Sequence, residues 1–342
     1  MFEEFKKVGV IGLGGMGRRH CEALKTLKNV ELTAVCDLRP EVINQVNQQY
    51  APRRSYVQWK DLLQSEKLDL LIIASNGPSH AMITMAAAEC GVPRILCEKP
   101  MATSLLDAQR MTETCRGKGV RLAINHLRRW VPAYARLKAQ LEDGVIGEIR
   151  HITFEMAGGQ LASNGGHFWD LVRFLTDKEP VRVLGYLDRT GTPNPRGPQY
   201  RDPGAYGLVW LEGGVRIFFD MCEDYGVPSF IEIMGSIGRV LIDEKYSKWE
   251  IFARNPKDRD QPFTRRPPLI PIAFTGSDID MIDCSRRAIE ELFSTGPVSC
   301  SGVDGLRSLM VSIAIHQSEG HGNQPVELPL HQEIFQTEYQ FT

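Results

Sequence analysis

Three short segments of the chain contain residue types that can do chemistry together. Gly12-Leu13-Gly14-Gly15-Met16-Gly17 is a glycine-rich turn, Lys99 stands directly before a proline, and His167 follows two glycines at the start of an apolar stripe. Backbone N–H groups of a glycine turn can bind phosphate, an ammonium group stabilises a negatively charged oxygen, and a neutral imidazole accepts a proton. Whether the three act in one site depends on the elements that carry them.

The glycine-rich turn stands between a predicted strand at 8–11 and a predicted helix that starts at Arg18. In a dinucleotide-binding turn the first glycine makes the bend and the second lets the backbone approach a pyrophosphate. The third, here Gly17, lets the helix lie against the strand. An ordinary glycine turn before a helix is the alternative. The strand, the helix and an acid about 20 residues further on favour nucleotide binding by all six residues.

That acid is Asp37, just beyond a second predicted strand at 32–36. A carboxylate there accepts hydrogen bonds from the ribose hydroxyls of an adenosine and repels a 2′-phosphate, so NAD is favoured over NADP. Arg39 keeps NADP open, because a guanidinium can bind a 2′-phosphate if Asp37 turns away. Capping of the helix that follows Pro40 is the structural alternative for Asp37.

Lys99 belongs to Cys97-Glu98-Lys99-Pro100, after a predicted strand at 94–97. Ligands of open α/β sheets bind beyond the carboxyl ends of the strands, which places this lysine toward the nicotinamide end of a dinucleotide. Its ammonium can hydrogen-bond a substrate hydroxyl and stabilise an alkoxide as hydride leaves. A solvated surface charge is the alternative.

His167 opens a predicted helix whose buried stripe is Phe168, Leu171, Val172 and Leu175. A helix N-terminus disfavours imidazolium, so the ring is expected to stay neutral and able to accept a proton. Asp170, three residues on, either caps the helix or holds the other ring nitrogen. A structural histidine is the alternative reading.

The elements around these segments predict two domains. Apolar strands at 8–11, 32–36, 70–74, 94–97 and 121–124 alternate with amphipathic helices, which indicates a parallel sheet covered on both faces. From about Gly144 the strands alternate in polarity and are joined by tight turns, which indicates a largely antiparallel sheet. Two Pro/Gly-rich stretches, 188–204 and 254–271, are expected to be lids, binding loops or disordered segments. Helices are expected at 278–293 and 302–318.

These pieces resemble the Gfo/Idh/MocA family of NAD(P)-dependent oxidoreductases, which includes glucose–fructose oxidoreductase and inositol dehydrogenase. The matching segments are the glycine turn, 74–80, 97–102, 125–130, 165–170, 233–238 and 326–330. The resemblance implies an N-terminal Rossmann domain at 1–125 and a C-terminal α/β domain at 126–342 with a large, mostly antiparallel open sheet. It also implies that helix 302–318 packs back on the first domain. The open sheet implies a homodimer or homotetramer.

By the same resemblance His167 is the proton acceptor, and the cofactor also contacts Ser75, Asn76, His80, Glu98 and Lys99. Many relatives carry an aspartate four residues before this histidine, where the chain has Ser163, followed by Asn164. A hydroxyl can hydrogen-bond a substrate but cannot share a proton at neutral pH. The relay of those relatives is therefore reduced to Lys99 and His167, and the substrate is expected to differ from theirs.

Further substrate-binding candidates lie where the chain leaves the first domain, at Asn125, Arg128 and Arg129. An arginine there either binds a substrate phosphate or carboxylate or makes structural pairs. Weaker candidates in predicted loops are Tyr200, Arg201, Asp202, Asp224 and Tyr225.

Composition excludes several other classes of protein. The 342 residues carry 40 basic and 42 acidic side chains, which gives a net charge of −2. This balance lacks the excess of basic residues that is typical of proteins that bind nucleic acid or an acidic membrane surface. No apolar run is long enough to span a bilayer, the N-terminus shows no signal segment, and the eight scattered cysteines read as reduced thiols. No metal site is expected from their spacing, and the location is expected to be cytoplasmic.

Three functions remain open. The first is oxidation of a secondary hydroxyl of a sugar, sugar derivative or cyclitol by hydride transfer to NAD. The second is a non-catalytic sugar sensor on the same fold, although such relatives tend to lack the lysine or the histidine. The third is an NAD-recycling glycosidase or lyase, in which oxidation is only a transient step.

Overall fold

The structure is a computed structural model that describes residues 5–191, 193–226 and 229–342. The sequence predictions that involve residues 1–4 and Thr192 lie outside these ranges. The chain divides by contacts into two units. The first runs up to Trp130 and adds Asp280–Leu309 and Gln332–Thr342, and the second comprises Val131–Ile279 and Met310–His331. Within the described ranges, no helix combines the length and apolar character needed to cross a bilayer.

The first unit alternates strands and helices as the sequence predicts. Its strands are β1 (Lys6–Ile11), β2 (Val30–Cys36), β3 (Arg54–Tyr56), β4 (Leu70–Ile73), β5 (Arg94–Cys97) and β6 (Arg121–Ile124). Its early helices are α1 (Gly15–Lys25), α2 (Pro40–Tyr50), α3 (Trp59–Ser65), α4 (Gly77–Glu89) and α5 (Leu105–Gly117). β4 is buried along its whole length, because helices cover both faces of the sheet.

The six strands are all parallel and lie in the order β3-β2-β1-β4-β5-β6. The order reverses between β1 and β4, and open sheets of this kind bind ligands at such a switch point, beyond the carboxyl ends of the strands. The glycine turn follows β1 at this point. The predicted Rossmann architecture of the first unit is therefore confirmed.

A later part of the chain completes the first unit. The helix α8 (Met281–Phe293) packs beside β5 and β6, where Arg94 and Arg121 donate hydrogen bonds to the carbonyls of Leu292 and Glu291. The helix α9 (Gly302–Gly320) begins in this unit, with Gly305 against Ile124, and belongs to the second unit from Met310 on. By contacts the first unit runs to Trp130 and includes α8 and the start of α9, whereas the resemblance implied a boundary after residue 125, with helix 302–318 of the second domain packing back on the first.

The second unit contains a nine-stranded sheet. Its strands are β7 (Ile149–Glu155), β8 (Pro180–Leu187), β9 (Ala205–Leu211), β10 (Arg216–Asp220), β11 (Phe230–Gly235), β12 (Gly238–Asp243), β13 (Lys248–Arg254), β14 (Leu269–Ile272) and β15 (Val326–Glu327). The order is β14-β13-β12-β11-β7-β10-β9-β8-β15. Every pair is antiparallel except β7 with β10, which confirms the mostly antiparallel sheet.

Two helices, α6 (Pro132–Glu142) and α7 (Gly166–Thr176), precede most of these strands. α7 packs on the sheet through aromatic contacts, since the Phe168 ring stacks on Phe154 with centroids 4.7 Å apart and the Trp169 ring meets Phe154 edge-on at 5.0 Å. These contacts fix the first turn of α7 on the sheet.

Some elements differ from the sequence prediction. β14 overlaps the end of the stretch 254–271 that was expected to be a lid, a binding loop or disordered, and it contains Pro271. A proline lacks the N–H that an inner strand would donate, so it is tolerated here because β14 is an edge strand. The short segment β3 is likewise an edge strand and has no apolar alternation to reveal it.

Candidate active site

The glycine turn has the shape that a dinucleotide requires. Gly12 has φ +88°, and a Cβ there would lie 2.4 Å from the backbone of Ala74, while a Cβ on Gly17 would lie 1.9 Å from the Gly12 carbonyl oxygen. A Cβ on Gly14 or Gly15 would meet nothing within 4 Å. Gly12 and Gly17, the first and third glycines of the motif, are thus needed for packing. The open space beside Gly14, the second, fits a pyrophosphate at the N-terminus of α1.

Asp37 lies at the carboxyl end of β2, next to this turn. Its carboxylate accepts hydrogen bonds from the Leu13 N–H at 2.8 Å and from the Arg39 backbone and side chain at 3.0–3.2 Å. Burial alone would raise the pKa of Asp37, but these hydrogen bonds and the Arg39 charge hold it below its usual value. Asp37 is therefore a charged carboxylate beside the glycine turn, with Arg39 paired to it.

Glu98 and Asn125 follow the next strands of the sheet, and a third residue, His20, joins them from α1. His20 Nε2 lies 2.8 Å from Glu98 Oε1, and the Asn125 amide donates to the same oxygen at 2.6 Å. All three side chains are buried. Burial favours the neutral acid, yet the hydrogen bonds from His20 and Asn125 and the His20 charge hold the pKa of Glu98 below its usual value. This network ties the helix of the glycine turn to the segment that carries Lys99.

Lys99 itself is half-buried and precedes a cis peptide bond to Pro100. The adjacent loop is held by His80, whose ring nitrogens lie 2.8 Å from the Pro100 carbonyl oxygen and 2.9 Å from that of Ser75. Burial lowers the pKa of His80. These contacts favour a role for His80 in shaping the lysine loop. Asn76 precedes α4 directly and is exposed at the same edge of the sheet.

Arg128 and Arg129 lie in a 3₁₀ turn at Leu127–Trp130. Arg129 pairs with Asp304 at 3.4 Å, and the Trp130 indole donates to Glu291 at 2.7 Å. Arg128 is almost fully buried. In the first unit the surroundings of Arg128 and Arg129 favour structural pairing over substrate binding, the two roles that the sequence left open.

The second unit carries the other residues that the sequence singled out. His167 is the second residue of α7 and is 7% exposed, which places it at the helix N-terminus as predicted. Asp170 is fully buried and lies 3.9 Å from the Arg173 guanidinium, which in turn forms two hydrogen bonds to Glu179. Asp170 is therefore part of a charged cluster that anchors α7.

The backbone before α7 is unusual. Gly158, Gly159 and Gln160 all have positive φ, and Leu161–Gly165 then forms one π-helical turn. Both features recur at functional sites, where surrounding contacts maintain the strain. Ser163 lies in this turn and is fully buried, while the Asn164 amide donates to the Gly159 carbonyl at 3.2 Å.

Two residues of the loop between β8 and β9 contact this turn. Asp202 accepts hydrogen bonds from the N–H groups of Ala162 and Ser163, at 2.7 and 2.9 Å. Arg196 donates to the Ser163 hydroxyl at 3.3 Å. Asp202 was a weak sequence candidate, and Arg196 was missed because nothing in a Pro/Gly-rich loop marks one arginine among several.

The remaining weak candidates are Tyr200, Arg201, Asp224 and Tyr225. The Tyr225 hydroxyl donates to the Asp220 carbonyl and accepts from the Met156 N–H, and burial raises its pKa. Those contacts suit a structural tyrosine. Tyr200 and Arg201 lie in the loop between β8 and β9, and Asp224 lies between β10 and β11.

Comparison with known proteins agrees with the geometry. Residues 6–126 match the model of an oxidoreductase family with an NAD-binding Rossmann fold. The chain is 29% identical to D-apiose dehydrogenase of Paraburkholderia graminis over 94% of this chain and 89% of that protein. It is 34% identical to inositol 2-dehydrogenase/D-chiro-inositol 3-dehydrogenase of Shouchella clausii over 70% of this chain and 72% of that protein.

Solved structures share the fold. Levoglucosan dehydrogenase in complex with NADH and levoglucosan superposes with a TM-score of 0.80 at 20% identity, covering 96% of this chain and 100% of that one. An oxidoreductase from Agrobacterium radiobacter in complex with NAD⁺, L-tartaric acid and magnesium gives a TM-score of 0.79 at 23% identity, covering 94% and 98%. With the glycine turn, Glu98-Lys99-Pro100 and His167 in place, the chain belongs to the Gfo/Idh/MocA family of NAD-binding oxidoreductases.

Proposed function

We propose that the protein oxidises a secondary hydroxyl of a sugar, sugar derivative or cyclitol and passes hydride to NAD⁺. The observation that carries the proposal is the placement of Lys99. It follows β5 at the same sheet edge as the glycine turn, in a loop tied to α1 through Glu98 and His20. Relatives named as inositol and apiose dehydrogenases support the substrate class.

In the proposed reaction His167 accepts the proton of the substrate hydroxyl, and the Lys99 ammonium donates a hydrogen bond to the oxygen as negative charge develops there. Bound NAD⁺ supplies the acceptor for the hydride that leaves the same carbon. The products are a ketone, NADH and one proton, which His167 releases to solvent. Asp170 acts through the position of α7 and has no direct role in the transfer.

The cofactor is assigned to the residues at the sheet edge. Gly12 to Gly17 hold the pyrophosphate, Asp37 accepts from the adenosine ribose, and Ser75, Asn76 and Glu98 line the nicotinamide side. On the substrate side the proposal keeps Lys99, Asn125, Ser163, Asn164 and His167. Arg128 and Arg129 are assigned to structure, on the contacts described above.

The test is a panel of free, phosphorylated and acidic sugars and cyclitols incubated with NAD⁺, with formation of NADH followed by absorbance. Stoichiometric NADH with loss of the sugar supports a dehydrogenase. Turnover of a glycoside with no net NADH would instead identify the NAD-recycling hydrolase or lyase. Tight sugar binding with no turnover of any kind would identify a sensor.

We also infer that the open face of the nine-stranded sheet is an interface between copies of this chain, giving a dimer or tetramer. Tyr186, Tyr206, Phe218 and Met234 lie on that face by register and are 37–45% exposed. The Tyr186 and Tyr206 rings stack with centroids 5.0 Å apart. Sedimentation of wild type and Phe218→Glu tests this: a monomeric wild type would contradict it.

A reducing, cytoplasmic location is part of the proposal. All eight cysteines are free thiols, and seven of them are buried. Burial raises the pKa of Cys21 to about 12, so this thiol is unreactive at neutral pH. Detection of the protein by cell fractionation tests the location.

A further inference from the structure

We infer that His20 and Asn125 are positioning residues that act on Lys99 through the acid next to it. They hold the Glu98 side chain, and Glu98 fixes the place and the charge of the lysine. The inference rests on the proposed function, in which Lys99 stabilises the substrate oxygen. It is carried by three features of the first unit: the hydrogen bonds that converge on Glu98, the buried atoms that these bonds leave without partners, and the anchoring of the chain on both sides of Lys99.

The hydrogen bonds converge on one oxygen of Glu98. His20 Nε2 lies 2.8 Å from Oε1, and the Asn125 amide nitrogen donates to the same atom at 2.6 Å. The three residues come from α1, from the end of β5 and from the end of β6, and none is more than 5% exposed. Two donors hold a buried carboxylate in one orientation, and loss of either would leave its charge poorly compensated.

Both donors leave their other polar atom buried without a partner. Within the part of the chain that the structure describes, Asn125 Oδ1 and His20 Nδ1 have no hydrogen-bond partner. Such atoms cost free energy, so a network that served stability alone would be expected to satisfy them or to use apolar side chains instead. Turning the Asn125 amide over would not help, because its oxygen would then face the carboxylate. The arrangement is explained if it serves to keep Glu98 ionised.

Glu98 acts on its neighbour first by position. Its backbone N–H donates to the Ile73 carbonyl at 2.8 Å, so the residue before Lys99 is fixed to the sheet. On the other side, a ring nitrogen of His80 lies 2.8 Å from the Pro100 carbonyl oxygen. Lys99 therefore stands between two anchored residues, and its half-buried side chain starts from a fixed point at the sheet edge.

Glu98 acts also by charge. Burial alone would raise the pKa of Glu98, but its hydrogen bonds within the network and the charge of Lys99 lower it. The attraction between two charges is mutual, so the carboxylate favours the ammonium form of Lys99. The other titratable groups of this network are His20 and His80. Burial lowers the pKa of His80, so its ring is neutral at pH 7 and does not repel the lysine.

The experiment measures the reactivity of Lys99 in the full-length protein without substrate. Each protein is labelled with trace acetic anhydride over a range of pH, and only the uncharged amine of a lysine reacts. Mass spectrometry quantifies the labelled peptide that contains Lys99 against the one that contains the exposed Lys248. Melting temperatures are measured alongside, so that a change in stability is separated from a change at the lysine.

The variants remove the charge of Glu98 or one of its donors. They are Glu98→Gln, Asn125→Leu, His20→Leu and His20→Gln, the last of which keeps a donor on the side chain. His316→Leu is the matched control, because it changes a histidine of the second unit in the same way. If His20→Leu does not fold, Glu98→Gln and Asn125→Leu decide the outcome.

We expect Lys99 to be labelled about threefold to tenfold faster at neutral pH in Glu98→Gln, because loss of the carboxylate favours the uncharged amine. His20→Leu and Asn125→Leu should raise the rate less, since Glu98 remains but is held less firmly. His20→Gln should lie between His20→Leu and wild type. His316→Leu should match wild type.

Turnover of an identified substrate at saturating NAD⁺ tests the same network. His20→Leu and Asn125→Leu should lower kcat about tenfold with little change in the KM for NAD⁺, because the lysine acts on the charge that develops in the transition state. In a Lys99→Ala background, His20→Leu should cause no further loss, since it acts through the lysine.

Wild-type labelling of Lys99 in Glu98→Gln, or in both His20→Leu and Asn125→Leu, would overturn the inference. Lower melting temperatures with unchanged labelling would show that the network is only structural. If labelling changes as expected but no sugar is oxidised, the network stands and the proposed function fails. If a sugar is oxidised and the variants turn it over like wild type, the proposed function stands and the network does not.

Discussion

The two units position their candidate site residues by different means. In the first unit, Asp37, Glu98 and Asn125 each follow directly on a parallel strand, and the sheet brings them to one edge. In the second, His167 and Ser163 are placed by a strained turn that a distant loop clamps through Asp202. The first arrangement follows from strand order and tolerates little change. The second depends on loop contacts, which is where members of one fold acquire different substrates.

The largest expected effect comes from removing the proposed reacting groups, Lys99 of the first unit and His167 of the second. Lys99→Ala and His167→Ala should each lower turnover by about 10²–10⁴-fold, because each removes a group that handles charge or a proton in the transition state. Calorimetry should still show NAD binding, since the glycine turn and Asp37 are untouched. The double variant should lose little more than the worse single variant, because both residues serve one proton transfer. Near-normal turnover of His167→Ala would place the base elsewhere.

A second test concerns a histidine of the second unit, His316, in contrast to His20 of the first. His20 contacts a carboxylate, whereas His316 on α9 lies in surroundings whose burial lowers its pKa to about 4. The unfolded chain binds a proton at His316 below about pH 6.5 and the folded chain does not. The free energy of unfolding should therefore fall by at most about 3 kcal/mol between pH 6.5 and 4 on this account. His316→Gln should flatten that part of the denaturation profile, and exposed His321→Gln should not.

A third test concerns how tightly the glycine turn of the first unit is packed. Alanine within a helix usually stabilises relative to glycine, but a Cβ at Gly17 would lie 1.9 Å from the Gly12 carbonyl oxygen. Gly17→Ala should therefore lower the free energy of unfolding by about 1–3 kcal/mol and weaken NAD binding. Gly117→Ala is the control, since a Cβ there meets nothing within 4 Å. Equal melting temperatures for the two variants would contradict the packing role.

A fourth test concerns cofactor choice. Wild type should bind NAD more tightly than NADP, because Asp37 is charged and its carboxylate repels a 2′-phosphate. Asp37→Ala should narrow the difference by about tenfold, since it also releases Arg39 to meet that phosphate. Adding Arg39→Met to this variant should remove the gain for NADP. Calorimetry with both oxidised cofactors measures the three proteins, and equal binding by wild type would sink the claim.

The smallest expected effect on activity comes from changing Ser163, and it tests the second unit alone. Ser163→Asp should lower activity several-fold, because it places a charge at a fully buried position of the turn that leads to His167. Ser163→Asn, which adds similar volume without charge, is the control for packing. A higher rate for Ser163→Asp at neutral pH would show that a proton-sharing acid is what this enzyme lacks.

The candidate site residues of the first unit could be predicted from the sequence because local patterns determine their positions. Continuous apolar strands, glycines with fixed spacing and an acid at the next strand end suffice, since parallel strand topology then places them at one edge. His20 escaped this reasoning. It lies on the buried side of α1, where a lone histidine gives no signal until Glu98, 78 residues later, is known to face it.

In the second unit the sequence predicted α7 and most strands, but it did not predict what surrounds Ser163. Gly158-Gly159 signals a turn, yet positive φ at Gln160 and a π-helical turn have no sequence signature. The contacts of Asp202 and Arg196 with this turn join residues more than 30 positions apart in the chain. The role expected for Ser163 was therefore incomplete, because the guanidinium that covers it was not anticipated.

The return of residues 280–309 to the first unit has a consequence for biosynthesis. β6 is completed only when the Ile124 N–H meets the Cys300 carbonyl, and Arg94 and Arg121 find their acceptors on α8. A ribosome that has just finished the sixth strand must add more than a hundred residues before these partners emerge, which takes roughly ten to thirty seconds at typical synthesis rates. During that interval an apolar sheet edge is uncovered in the nascent chain. We therefore expect early truncations to be held by chaperones, whereas chains that extend past residue 309 should be released from them.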